Sequence, residues 1–224
     1  MHLEVLKSGL IVSCQAPVDS PLHDPSIIAA MAKASVNQGA VGIRVDTPSH
    51  VQEVRKYLSD IPIIGLWKRQ YLGSEVYITP LFEDAVAIAE ADADIIAIDG
   101  TARNRAGGET LPKIIEQIKT QLGKLVMADV DTIENAIASE KAGADLIGTT
   151  LYGYTQETKH LTPPGYELLT EMVKQLSVPI ICEGGIATPD EARKALDLGA
   201  YSVVVGTAIT GIDLKVKSFY NALQ

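Results

Sequence analysis

Brief apolar runs alternate with amphipathic stretches along the whole chain. Runs too short for helices, bounded by glycine, proline or charged residues, predict strands buried on both faces at 10–13, 41–45, 63–67, 94–98, 125–128, 146–149, 180–182 and 202–205. The helical period predicts helices near 25–38, 48–59, 81–91, 110–121, 132–142, 164–176, 189–198 and 212–222. Parallel strands need crossover connections, so eight strands each followed by a helix predict a closed (β/α)8 TIM barrel, with residues 1–224 as one domain. An internal echo agrees with this. Gly39-Ala40, Asp92-Ala93, Gly143-Ala144 and Gly199-Ala200 each join a helix end to an even-numbered strand, at intervals of 53, 51 and 56 residues, about two βα units.

The stretch 179–210 organises the rest. A strand ends at Glu183 and turns at Gly184-Gly185; Thr188, Pro189 and Glu191 form a capping box for a helix that Gly199 ends; a second strand turns at Gly206-Thr207. Two glycine turns after consecutive strands free backbone N–H groups at Gly184, Gly185, Gly206 and Thr207. In βα barrels the turns after strands seven and eight are a common phosphate site.

The residues that follow the strands would converge on one mouth: Gln15, Arg44 with Asp46, Lys68 with Arg69, Asp99, Asp129 with Asp131, Thr149 with Thr150, Glu183, and Gly206 with Thr207. Lys68 follows an apolar run, so its stem is expected against the barrel core, where desolvation lowers a lysine pKa toward a value useful for proton transfer. Glu183, held between a strand and a Gly-Gly turn, can move a proton to or from a substrate oxygen. Asp131 with Glu134 reads as a cap for the helix at 132–142, which leaves Asp129 as the site residue. Three longer polar loops, 69–75, 100–109 and 151–165, all follow strands, on the side of a barrel where function resides.

Composition narrows the chemistry. A net charge of −9 argues against nucleic acid or an anionic membrane as partner and leaves room for a small anionic substrate held by local cations and N–H groups. The histidines His2, His23, His50 and His160 have no metal-ligand spacing, so no metal is expected. There is no dinucleotide fingerprint and no P-loop. Cys14 and Cys182 read as buried thiols of a reducing compartment, and no leader or spanning run stands out, so a cytoplasmic protein is expected. Apolar rim residues such as Trp67, Tyr71, Leu72 and Tyr152 could serve a homodimer interface or a lid.

The wording of several segments is specific. GLIVSCQ at 9–15, GAVGIR at 39–44, IGLWKR at 64–69, Met127-Ala128-Asp129, IGTTLYGYT at 147–155, Glu183-Gly184 and Ala208-Ile209-Thr210 together resemble the N-acetylmannosamine-6-phosphate 2-epimerase family, from about residue 7 to 215. The resemblance implies a phosphate-binding barrel that interconverts N-acetylmannosamine 6-phosphate and N-acetylglucosamine 6-phosphate in amino-sugar and sialic acid catabolism, without a cofactor. It implies Lys68 and Glu183 as the proton-handling pair and Gln15, Arg44 and Asp129 around the sugar. One departure stands out: the family's Ala-Ile-Thr-Arg-Pro is Ala208-Ile209-Thr210-Gly211-Ile212 here. Arg103, Arg105 and Lys215 are the candidate cations to replace the missing arginine. Two other readings keep the same barrel: a phosphosugar isomerase or condensing enzyme in which Lys68 forms a Schiff base, and a non-catalytic phosphosugar-binding regulator.

Overall fold

The computed structural model describes residues 3–224; His2 lies outside the described residues. All the predicted strands form: β1 Leu10–Cys14, β2 Gly42–Asp46, β3 Ile63–Leu66, β4 Ile95–Asp99, β5 Leu125–Asp129, β6 Leu146–Gly148, β7 Ile180–Glu183 and β8 Ser202–Val205. They pair in parallel in chain order, and β8 returns to β1 to close the barrel. The intervening helices are α1 Pro25–Asn37, α2 Pro48–Tyr57, α3 Phe82–Glu90, α4 Leu111–Gln117, α5 Ile133–Lys141, α6 Tyr166–Gln175 and α7 Pro189–Asp197. The expected Thr188–Glu191 capping box starts α7, with both reciprocal hydrogen bonds made.

Three local expectations are corrected. The helix expected at 110–121 is α4 followed by a π-helical turn, Ile118–Leu122, which Gly123 ends at φ 64°. Two helices rather than one follow β8: a single turn, α8 Thr207–Thr210, and α9 Ile212–Ala222, with Gly211 capping both. Asp131 does not cap α5. Thr132 does, and Asp131 instead accepts from Asn135 Nδ2 at 2.7 Å and Thr155 Oγ1 at 2.6 Å, tying α5 to the loop after β6.

The pleat sorts side chains into two cores. Ile43, Val45, Ile63, Ile96, Ile98, Ala128, Ile147, Cys182 and Val203 face the helices. Ile11, Ile64, Leu66, Ile95, Ala97, Met127, Leu146, Ile181 and Val204 fill the barrel interior together with Leu6, from the 3-10 turn Leu3–Leu6. Continuing the inward alternation past each strand end brings Gln15, Arg44, Lys68, Asp99, Asp129, Thr150 and Glu183 to the interior at the C-terminal mouth. One register therefore builds both the apolar floor and the polar rim.

The internal echo is a repeated cap. Gly39, Asp92, Gly143 and Gly199 all have positive φ, at 99°, 69°, 98° and 101°. The N–H of the alanine after each reaches back five residues, Ala40 to Ser35, Ala93 to Ile88, Ala144 to Ser139 and Ala200 to Ala195. This is the Schellman hydrogen bond, used each time before an even-numbered strand. In two copies the next residue is an aspartate that also holds the neighbouring strand: Asp94 accepts from Ile63 N and Asp145 from Val126 N, each at 2.9 Å. A Cβ at Gly143 would meet nothing closer than 3.9 Å, so Gly143→Ala costs only left-handed backbone strain. A loss of about 1 kcal/mol in urea-unfolding free energy is expected, with m unchanged.

Candidate active site

Arg44 is the centre of the mouth. It projects inward from β2 and is 1% exposed, with Nη2 at 2.5 Å from Asp129 Oδ2 and Nη1 at 3.1 Å from Asp129 Oδ1 and 2.9 Å from Glu183 Oε2. Its Nε has no hydrogen-bond partner among the described residues. One guanidinium thus faces two carboxylates, from β5 and β7. Burial works against the arginine's charge, but Asp129 and then Glu183 hold its pKa above the ordinary range. For Glu183 burial is the largest influence; it and the neighbouring Asp129 outweigh the opposing pull of Arg44, and the carboxyl is pushed up to about 7.

Close packing makes room for this cluster. A Cβ at Gly148 would lie 2.5 Å from Met127 Cε, 2.9 Å from Thr150 Oγ1 and 3.1 Å from Asp129 Oδ1. The backbone of Glu183 is clamped by Thr149, whose hydroxyl donates to Glu183 O at 2.8 Å and accepts from Glu183 N at 3.1 Å. Gly184 and Gly185 follow at φ 100° and 73°. A side chain at Gly185 would collide with Pro163 at 2.5 Å, so the loop after β6 braces this turn. The N–H groups of Gly184, Gly185, Gly206 and Thr207 have no main-chain acceptor among the described residues.

Lys68 reaches the same mouth from beyond β3. Its Nζ is 2.5 Å from Gln15 Oε1, and Gln15 Nε2 donates to Ser13 Oγ at 2.9 Å. Its main chain is fixed by Asp46, which accepts from Lys68 N at 2.9 Å, and by an antiparallel bridge to Ile78. Lys68 is exposed. The burial against the core expected from the preceding apolar run is not found, because Leu66 and Trp67 end the wall and the ammonium group stands above it.

Other expected residues are placed elsewhere. Arg69 turns away from the mouth, stacking on Trp67 and Tyr71 at 4.6 and 4.9 Å and pairing with buried Asp84 at 3.0 Å. Asp99 is committed to Thr101 Oγ1 at 2.6 Å and Arg103 Nη2 at 2.5 Å. Arg103 also bonds Glu75 O and Thr101 Oγ1, and Arg105 bonds Pro80 O and Asp99 O, so both arginines staple the loops after β3 and β4 together. Of the three cations weighed as replacements for the family arginine, only Lys215, exposed on α9, is uncommitted to such contacts. At Gly211 itself a Cβ would lie 2.8 Å from Thr207 Cα and O, so this backbone excludes any side chain there.

Sequence reasoning placed Thr150 and Asp46 at the mouth without giving either a role, and it passed over Tyr77. Thr150 bridges the carboxylates, and its inward place follows from the two-residue alternation after Gly148. Tyr77 packs against the interior cluster, with its hydroxyl pKa raised by burial and then by Asp129 and Asp99. Asp46 holds the Lys68 main chain. Tyr77 carried no signal, since its neighbours lie in other strands; the position of Asp46 was legible, but not its hold on Lys68 N, which lies beyond another strand.

The pKa of Glu183 makes stability depend on pH. The folded carboxyl keeps its proton up to about 7, whereas an ordinary glutamate releases it at 4.5. Folding therefore binds a proton in that window, and the stability it contributes is present below 4.5 and lost as pH rises through 7. The expected loss is roughly 3 kcal/mol at most. Glu183→Gln should flatten that slope in urea titrations across the window.

Residues 28–224 match the family NanE, described as "Putative N-acetylmannosamine-6-phosphate epimerase". A Synechococcus elongatus protein named "Putative N-acetylmannosamine-6-phosphate 2-epimerase" is 60% identical over 224 residues, 100% of this chain and 97% of the relative. A relative of the same name from Clostridium perfringens is 44% identical over 222 residues, 99% of this chain and 100% of the relative. The solved structure of the N-acetylmannosamine-6-phosphate 2-epimerase from Clostridium perfringens superposes with a TM-score of 0.94 at 43% identity, covering 99% of this chain and 96% of that one. Thiamine phosphate pyrophosphorylase from Pyrococcus furiosus, at 19% identity and a TM-score of 0.64 over 94% and 90% of the two chains, shares the barrel fold.

Proposed function

Because the chain belongs to the NanE family of N-acetylmannosamine-6-phosphate epimerases, we propose that it interconverts N-acetylmannosamine 6-phosphate and N-acetylglucosamine 6-phosphate by proton transfer at C2. Lys68 and Glu183 are the proton-handling pair in this reading, within one barrel domain of residues 1–224. The observation that carries it is the convergence of an ammonium group and a proton-holding carboxyl on one mouth, beside a buried Arg44–Asp129 pair.

The chemistry needs such a pair. Opening the sugar ring makes C1 an aldehyde and acidifies the C2–H bond; a base then removes that proton, and one returns to the opposite face. Lys68, as the free amine, takes the C2 proton and becomes the ammonium. Glu183, with a pKa pushed up to about 7, exchanges a proton with the sugar oxygens during ring opening and enediol formation and returns one to C2 from the opposite face. Gln15 and Arg44 with Asp129 line the sugar. The free N–H groups of Gly184, Gly185, Gly206 and Thr207 take the 6-phosphate, so that binding energy remote from C2 orients the reacting carbon.

Incubation with either phosphosugar in D₂O tests this reading: product should carry deuterium at C2, and the unphosphorylated sugars should turn over poorly. Product without deuterium, or binding without turnover, would count against it; trapping by borohydride would move Lys68 to the Schiff-base reading. Pairing of two copies is supported by α9, which buries none of its residues and exposes Ile212, Leu214, Val216, Phe219 and Tyr220. Of the rim residues weighed earlier, Trp67 and Tyr152 pack against the core and Leu72 is fully exposed. Sedimentation of the full chain reads the assembly. A cytoplasmic setting fits Cys14 and Cys182, both buried and unpaired.

A further inference from the structure

The two carboxylates of the mouth are held unequally. Asp129 receives Arg44 on both oxygens, Nη2 on Oδ2 at 2.5 Å and Nη1 on Oδ1 at 3.1 Å, and is 0% exposed. Glu183 receives Arg44 on Oε2 alone, at 2.9 Å, and its side chain is 12% exposed. Between them stands Thr150, whose hydroxyl lies 2.6 Å from Asp129 Oδ1 and 3.1 Å from Glu183 Oε2. Oε1 of Glu183 makes no hydrogen bond to the described residues. We infer that Thr150 is a positioning residue: its single hydroxyl, between Oδ1 of Asp129 and Oε2 of Glu183, pins Glu183 so that Oε1 is the oxygen that exchanges a proton with substrate.

The reason is geometric. A carboxyl held at one oxygen by one donor can swing about its last torsion; two donors on Oε2 from different strands, Arg44 on β2 and Thr150 beyond β6, remove that freedom. Thr150 is itself seated by close contact with the Gly148 position, where any side chain would strike its hydroxyl. The charged or titratable groups facing Glu183 are Arg44 from β2, Lys68 from beyond β3, Asp129 from β5 and Tyr154 from the loop after β6; Cys182, next to it on β7, points to the helices. Among the described residues only Thr150 supplies a neutral donor to the Glu183 carboxyl, so it orients that group without changing the net charge of the cluster.

This inference rests on the epimerase reading for what Oε1 does, but its test separates the two. In the full-length protein with ¹³C-labelled side-chain carboxyls, Glu183 is identified by the signal that Glu183→Gln removes. Thr150→Val takes away a donor to the ionised form, so the Glu183 midpoint should rise by about half a unit to one unit. With N-acetylmannosamine 6-phosphate, kcat should fall by about 10-fold with KM within two-fold. Thr150→Ser should restore both. A Thr150→Val protein with the parental midpoint and kcat, or a Thr150→Ser protein as impaired as Thr150→Val, overturns the assignment. If Thr150→Val does not fold, Thr150→Ala is read by the same two measurements, and a parental midpoint and kcat there overturn the assignment. A shifted midpoint in a protein whose parent turns over no phosphosugar would overturn the epimerase reading and keep Thr150 as the positioning residue.

Discussion

Replacing Lys68 by methionine is expected to lower epimerisation in either direction by about 10²–10⁴-fold, the usual worth of one positioned acid–base group. The fold should survive, because nothing structural depends on the ammonium group. Lys68 is exposed, its main chain is held through its N–H by Asp46 at 2.9 Å, and the bridge to Ile78 involves backbone only. Methionine keeps most of the stem length while removing the charge and the donor to Gln15. The loss should fall on kcat, and deuterium exchange at C2 of the bound sugar should stop along with turnover. If the variant exchanged that proton at the parental rate, Lys68 would not be the base at C2, and Glu183 would have to serve both faces.

Arg44→Met should produce the largest loss of stability, and the loss should depend on pH. The substitution leaves the Asp129 and Glu183 carboxylates facing each other in a site where one is 0% and the other 12% exposed. Breaking a buried pair from one side typically costs about 3–5 kcal/mol. Without the guanidinium, Glu183 loses the charge that opposes its burial, and its pKa rises further above the unfolded value. The stability it contributes is therefore present when protonated in acid and lost as pH rises through the folded value. Urea titrations should thus show the full deficit near pH 8 and a much smaller one near pH 5. An equal deficit at both would mean that packing of the arginine stem, rather than its charge, is what the barrel needs.

The register of the barrel was legible because two local rules agree. Apolar runs too short for helices, separated by amphipathic stretches with caps such as Thr188–Glu191, leave a parallel sheet with crossover helices as the consistent solution. The repeated helix end at Gly39, Asp92, Gly143 and Gly199 was visible as wording, and its cause is one backbone turn made four times. The two-residue alternation already encodes that Gln15, Arg44, Lys68, Asp129 and Glu183 share the interior. Boundaries were less legible: α8 hides in a Gly-Thr turn, and the π-turn after α4 has no sequence period of its own.

The sequence by itself determined the fold and which residues reach the mouth, since both follow from hydrophobic periodicity and caps that act over a few residues. Only the tertiary structure decided what each charge does there. Arg103 and Asp99 are as polar and as close to strand ends as Arg44 and Asp129, yet the first pair staples loops while the second holds Glu183. Lys68 was expected to be buried and stands exposed. The difference is electrostatic: a carboxyl's proton affinity depends on burial and on charges within a few ångströms, and those neighbours come from strands up to about 140 residues apart in the chain.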